Sequence, residues 1–156
     1  MVDQSKDRLF RYDFVVTVLW IGFSLAISFM ETPLRFQANS ITVPIALEIG
    51  RLVFHALNFA EIMFAGWIFC CQMYNGCSKR SRRLFVFAAI ILVAQTLILF
   101  LVLDQRTAAI IAKEEVESAP YHTIYIVMEV VKLIALCVLA HSQLRDFKGW
   151  LSGSGD

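Results

Sequence analysis

The chain has 156 residues, of which 58% are apolar and 17% charged, with a formal net charge of +1. A soluble domain averages about 45–50% apolar and about 25% charged, so the excess here, gathered in blocks at a mean hydropathy of +0.66, marks a membrane protein. A near-neutral chain with no basic face interleaved with aromatics excludes nucleic acid as a partner, and thirteen phenylalanines against three prolines exclude a disordered, low-complexity chain.

Four blocks, 14–31, 45–72, 84–104 and 122–141, are long enough to cross a bilayer as helices, which takes roughly 17–25 mostly apolar residues. Lipid offers a bare backbone no partner, so each must be a helix or a strand of a closed barrel. Strands would alternate in polarity, and LFVFAAIILVAQTLILFLVL does not. The fold class expected is an all-α membrane protein, an up-down-up-down bundle of four transmembrane helices. Residues 1–148 make this single domain, and 149–156 a flexible cytoplasmic tail.

The first block follows Lys6, Arg8 and Arg11, as the core of a signal peptide would. It runs into SFMETPLRF, where bulky residues stand in place of the small ones that cleavage needs, and so reads as a retained helix. In the link that follows, Pro33 suits a helix exit, and Thr42 and Pro44 suit the N-cap and first turn of the second span. Cys70, Cys71 and Cys77 close that span, and Cys137 lies in the fourth. Their spacing is neither a zinc nor a redox motif, and free thiols are expected. In the third link, RTAAIIAKEEVE predicts a short surface helix.

Basic residues orient the bundle. Lys6, Arg8, Arg11, Lys79, Arg80, Arg82, Arg83, Arg145 and Lys148 fall on one side, against Arg35, Arg106 and Lys113 on the other. Nine against three predicts cytoplasmic termini.

The second span carries the polar groups. Glu48, Arg51, His55 and Asn58 follow helical spacing on one stripe, with Glu61 at its edge. At 1.5 Å per residue, Arg51 lies roughly 6 Å below the outer surface, His55 about 12 Å, Asn58 about 16 Å and Glu61 about 21 Å. On the fourth span His122, Glu129 and Lys132 align, with Glu129 about 10 Å and Lys132 about 15 Å deep. The first and third spans offer almost nothing polar apart from Gln95, and the cytoplasmic half reads as apolar down to His141. Small residues at Gly22/Ala26, Ser24/Ser28 and Ala56/Ala60 suggest close-packing faces.

A charge near the bilayer centre costs roughly 2.5–3.5 kcal/mol, so Arg51, Glu61, Glu129 and Lys132, which sum to zero, are expected to pair between the second and fourth spans. Depth suggests Arg51 with Glu129, and Lys132 with Glu61 or Glu129. The candidate site is therefore an outward-open polar pocket of Arg51, His55, Asn58, Glu61, Glu129 and Lys132, rimmed by Glu31, Glu48, Asp104, Arg106 and His122. Polar groups of this kind can also serve only as glue between helices, at about 0.6 kcal/mol each. An ionisable chain of His55, Glu61 and Glu129 fits proton handling, and Arg51 with Lys132 fits an anionic or lipid headgroup.

No cofactor is expected. A metal would draw on His55 and Glu129, with His122 or Glu31, beside two opposing cations. Haem would need axial histidines at matched depth, and His55, His122 and His141 lie at three levels. No serine or cysteine sits on the polar stripes to act as a nucleophile, so the residues show no nucleophile–base pair and lean away from an enzyme without deciding it.

WIGFSLAISFMETPLRF, GRLVFHALNFAE, LDQRTA and YHTIYIVMEVVKL together resemble a group of small four-helix bacterial inner-membrane proteins of unknown function. The matching residues are Gly22, Glu31, Pro33, Phe36, Gly50, Arg51, Phe54, Asp104, Arg106, His122, Tyr125, Glu129 and Lys132. A looser similarity links the opening helices to copper-resistance-D-like membrane proteins, although the chain has no Met/His-rich outer segment. The resemblance implies a fold and a multi-pass place in the bacterial inner membrane. The function expected is transport-related or ligand-sensing, the alternative being a non-catalytic accessory subunit with a structural polar cluster. The bilayer is the first partner, with a homo-oligomer or a larger membrane complex as possible further ones.

Overall fold

A computed structural model describes residues 4–37, 41–75, 77–111 and 121–153. Helix α1 (Gln4–Leu25) leads through a π-helical turn (Ala26–Glu31) into the short α2 (Thr32–Gln37). Helix α3 (Val43–Asn75) returns, α4 (Lys79–Ile98) crosses again, and a second π-helical turn (Leu99–Leu103) opens α5 (Asp104–Ile111). Helix α6 (Tyr121–Gly153) closes the chain, and no strand occurs among the described residues. Four stretches are long and apolar enough to cross a membrane: Tyr12–Glu31, Pro44–Tyr74, Lys79–Ile98 and Thr123–Gly149.

Local chemistry accounts for the boundaries. Thr42 precedes α3, and its carbonyl accepts the Ala46 N–H at 2.9 Å, with Pro44 in the first turn, where its missing N–H costs nothing. Ser78 caps α4, its side chain accepting the Ser81 N–H at 3.1 Å. Pro33 does not end the first helix as expected. The preceding turn widens to π winding and the chain continues helically into α2, a geometry that accommodates a residue lacking an N–H. The surface helix of the third link begins earlier than RTAAIIAKEEVE suggested, at Asp104, and residues 112–120 lie outside the described residues. The tail also differs, since α6 runs helically through residues 149–153.

Helix α1 packs on α3 and α6, α4 packs on α6 and more lightly on α3, and α5 rests on α3. Around the bundle the order is α1, α3, α4, α6, so α3 and α6 face each other across the diagonal. The second and fourth spans therefore meet through side chains that reach across the interior, as their polar stripes had suggested, rather than through closely packed backbones. The space between them is flanked by α1 and α4.

The bundle is apolar outside and partly polar inside. Leu52, Phe59, Met63, Ile90, Val93, Leu101 and Ile134 are exposed, while Lys132, Glu61 and Gln95 are fully buried. Such a surface has no favourable contact with water and a good one with lipid acyl chains. Trp20, Ile68, Phe85, Ala88, Leu92, Ala135, Leu136 and Leu139 form the apolar core. All four cysteines are free, as expected; Cys70 and Cys137 are exposed and Cys71 is buried. Gly22 faces outward with open space around it, so the small-residue face that matters on α1 is that of Ser24.

Candidate functional site

Along α6 the buried face runs Tyr125, Glu129, Lys132, Leu136, Leu139 and Gln143, steps of three and four residues that keep them on one side of a helix. Polar groups occupy both ends of this face and leucines its middle, which divides the interior into levels.

The middle level holds the buried charges. Lys132 Nζ lies 2.6 Å from Glu61 Oε1 and 2.8 Å from Glu129 Oε2. Trp20 Nε1–H donates to the same Glu61 oxygen at 2.9 Å, and Ser24 Oγ–H at 2.7 Å. Gln95 Nε2 donates to Glu129 Oε2 at 2.8 Å. All four spanning helices thus contribute, and none of these side chains is more than 1% exposed. Converging donors offset the large desolvation cost that would otherwise drive such charges out of the bundle. Four buried oxygens in this level have no hydrogen-bond partner among the described residues: Glu61 Oε2, Glu129 Oε1, Gln95 Oε1 and the Tyr125 hydroxyl. Tyr125 stands one turn from Glu129, edge-on to Phe54 at 5.7 Å, and within electrostatic reach of Glu129 and Glu61.

The level beyond Tyr125 is partly open. Asp104, at the start of α5, accepts from His55 Nε2 at 2.8 Å and from Arg51 Nε at 3.2 Å. Arg51 does not reach Glu129, the partner expected for it; Asp104, assigned to the rim, is its counter-ion. The arginine is 45% exposed and the aspartate 13%, so this pair lies at the bundle's edge. One consequence is electrostatic: with Arg51 neutralised elsewhere, the deep level holds two carboxylates against one ammonium. Asn58, between the two levels, donates to Thr96 Oγ1 at 2.7 Å, and Thr96 in turn donates to the Leu92 carbonyl.

The remaining rim residues are dispersed. Glu48 is exposed, and Glu31 and Arg106 are half-buried with interactions of their own. The His122 side chain lies outside the described residues. The pocket expected to open outward is closed at its deep end, since Glu61 and Lys132 are 0% exposed.

A third level lies at the opposite end, where the sequence had read as apolar. Asp13, Gln72, Ser142 and Gln143 are at most 6% exposed, and Thr17 and Ser81 are fully buried. Asp13 sits beside Gln143 and within electrostatic reach of Asp146 and Cys71. Ser81 Oγ–H donates to Asp146 Oδ2 at 2.8 Å and lies 2.8 Å from Ser142 Oγ. The signal for this level was present on α1. Asp13, Thr17, Trp20 and Ser24 recur at helical spacing, but hydropathy averaging hides hydroxyls and indoles inside an apolar block. Between the middle and lower levels, Ile68, Leu136 and Leu139 are 0% exposed and close the interior.

Compared with known proteins, the chain matches no family model, no curated protein and no solved structure.

Proposed function

We propose that this is a multi-pass protein of the bacterial inner membrane with both termini in the cytoplasm, whose buried charge cluster is the centre of a transport-related or ligand-sensing site. The resemblance to small four-helix inner-membrane proteins supports the location. Nine basic residues in the N-terminal segment, the start of α4 and the last part of α6, against three in the two links that join the first span to the second and the third to the fourth, support the orientation.

One observation carries the functional reading. Glu61, Glu129 and Lys132 set two acidic groups against one base in the middle of an apolar bundle, an odd acid that must either stay charged or hold a proton. Ionisable groups at that depth are expensive, and those that serve only as glue are usually neutral or evenly paired. A site with a charge to give or take is what transport or sensing needs. The partly open Arg51–His55–Asp104 level supports access from the outer face, and the apolar layer below supports gating rather than a through-pore.

A second reading has its own observation. The cluster is fully buried and each of its carboxyl groups holds at least two donors, as a structural knot in an accessory subunit of a larger complex, or in a homo-oligomer, would be. Proteoliposomes reporting pH across the membrane separate the two. Flux in the wild type that is lost in Glu61→Gln supports transport. No flux in either, with both folded, supports the accessory reading, and intact mass spectrometry of the detergent-purified protein would then identify the partner.

A further inference from the structure

The uncompensated charge in the middle level requires a neutraliser, and its chemistry can be read from the donors around it. Each element packed there contributes: α1 Trp20 and Ser24, α3 Glu61 and Asn58, α4 Gln95, and α6 Tyr125, Glu129 and Lys132. Among these, Glu61, Glu129 and Lys132 are the side chains that water would leave charged at neutral pH. The next titratable groups are His55 and Asp104 toward one end of the bundle, already paired with each other and with Arg51. Asp13 and Cys71 lie toward the other, beyond the Ile68–Leu136–Leu139 layer.

We propose that the cluster is a proton-binding site in which Glu129 is held as the carboxylic acid, protonated on Oε1, while Glu61 is the carboxylate paired with Lys132. The inference rests on the same buried site as the functional reading and names the ligand it takes.

The two acids are not equivalent. Glu61 Oε1 accepts three hydrogen bonds, from Trp20, Ser24 and Lys132, and donors of this kind favour the ionised form. Glu129 receives two donors, both on Oε2, and its Oε1 is buried without any. A proton on that oxygen removes the excess charge. It also turns an unpartnered acceptor into a donor, in a level where the buried oxygens Glu61 Oε2 and Gln95 Oε1 lack a donor among the described residues.

A metal cation fits the site less well than a proton. The Lys132 ammonium stands within 2.8 Å of both carboxylates, where a metal would otherwise sit, and it repels a second cation. Among the described residues no three of His, Cys, Asp and Glu are placed to hold one. Exchange is directed toward the Asp104 end, where Tyr125 offers an unpartnered hydroxyl one turn away, because the opposite side is sealed by fully buried leucines and isoleucine.

Infrared spectroscopy of the full chain in lipid nanodiscs, recorded in H2O and D2O across neutral pH, tests this. The wild type is expected to show a buried carboxylic C=O component that shifts in D2O, survives Asp13→Asn, is lost in Glu129→Gln and is unchanged when sodium replaces potassium. Should Glu129→Gln fail to accumulate, 13C-carboxyl labelling of glutamate in the unmutated chain must shift the component. Absence of the component at neutral pH, its persistence in Glu129→Gln, its failure to shift on glutamate labelling or its removal by sodium would each overturn the proposal. The two readings fail separately. A component present without proteoliposome flux leaves a structural proton and removes transport, whereas flux without the component keeps transport and removes the Glu129 proton.

Discussion

Lys132 Nζ stands 2.6 Å from Glu61 Oε1 although the two residues project from helices that face each other across the diagonal of the bundle. The flexible lysine stem spans the interior, and α1 and α4, flanking the gap, each send in hydrogen-bond donors. The ion pair is therefore a cross-brace that touches all four spans.

Lys132→Met should be among the most damaging single changes. It keeps the volume but leaves the Glu61 carboxylate buried without its cation, and breaking a buried pair this way costs about 3–5 kcal/mol. Thermal unfolding in detergent should show it, with an exposed change such as Ile134→Val as the neutral reference. Swapping the pair, Glu61→Lys with Lys132→Glu, should recover only part of the loss. The swap restores opposite charges but leaves the Trp20 N–H aimed at an ammonium. Full recovery would mean that the donors on Glu61 contribute little.

Trp20→Phe removes one donor and keeps an aromatic ring in the core. A hydrogen bond to a charged group contributes about 1.5–3 kcal/mol, so the variant should melt clearly earlier. Trp67, 53% exposed, provides the control, since Trp67→Phe should leave melting nearly unchanged.

Asp104→Asn should loosen α5 more than the bundle. The aspartate ties both Arg51 and His55 to the start of α5, at an edge where pairs contribute about 0.2–1 kcal/mol. Hydrogen exchange across residues 104–111 is expected to accelerate roughly in line with that loss, a few-fold, while exchange at Glu129 and Lys132 stays slow. Uniform acceleration in both regions would show that the edge pair and the deep cluster unfold as one unit.

Orientation can be read with single cysteines in a chain whose four native cysteines are replaced. Gln37→Cys and Gly149→Cys are both at exposed positions at opposite ends of the bundle. In intact cells an impermeant thiol reagent should label the first and reach the second only after permeabilisation. The reverse pattern would invert the topology.

The four spans and the α3 stripe were legible in the sequence because hydropathy and helical spacing act locally, and Arg51, His55, Asn58 and Glu61 line up by arithmetic alone. The choice of partners was legible only in part: Lys132 was expected to pair with Glu61 or Glu129, and it bonds both. Depth counting set Arg51 opposite Glu129 and treated Asp104 as a link residue, because it assumed uniform α winding from guessed entry points. The π turn before Asp104 and the diagonal placement of α3 and α6 are tertiary facts that no count along one helix contains. The Asp13 level was missed for a different reason. Buried polar residues in an apolar block register as noise in an average, although Asp13, Thr17, Trp20 and Ser24 lie on one face.

The second π turn has a mechanical consequence. The Asp104 N–H bonds to the Leu99 carbonyl, five residues back, so the turn stores one residue more than an α-helix would hold there. Deleting one residue from 99–103 would absorb that surplus and keep the register beyond it, whereas rewinding all five to α pitch would swing everything after them by roughly 100°. Asp104 would leave α3, while Gln95, below the turn, would keep its hold on Glu129. The turn therefore acts as a swivel: α5 can be re-aimed by a change of pitch while the charged cross-brace beneath it stays locked.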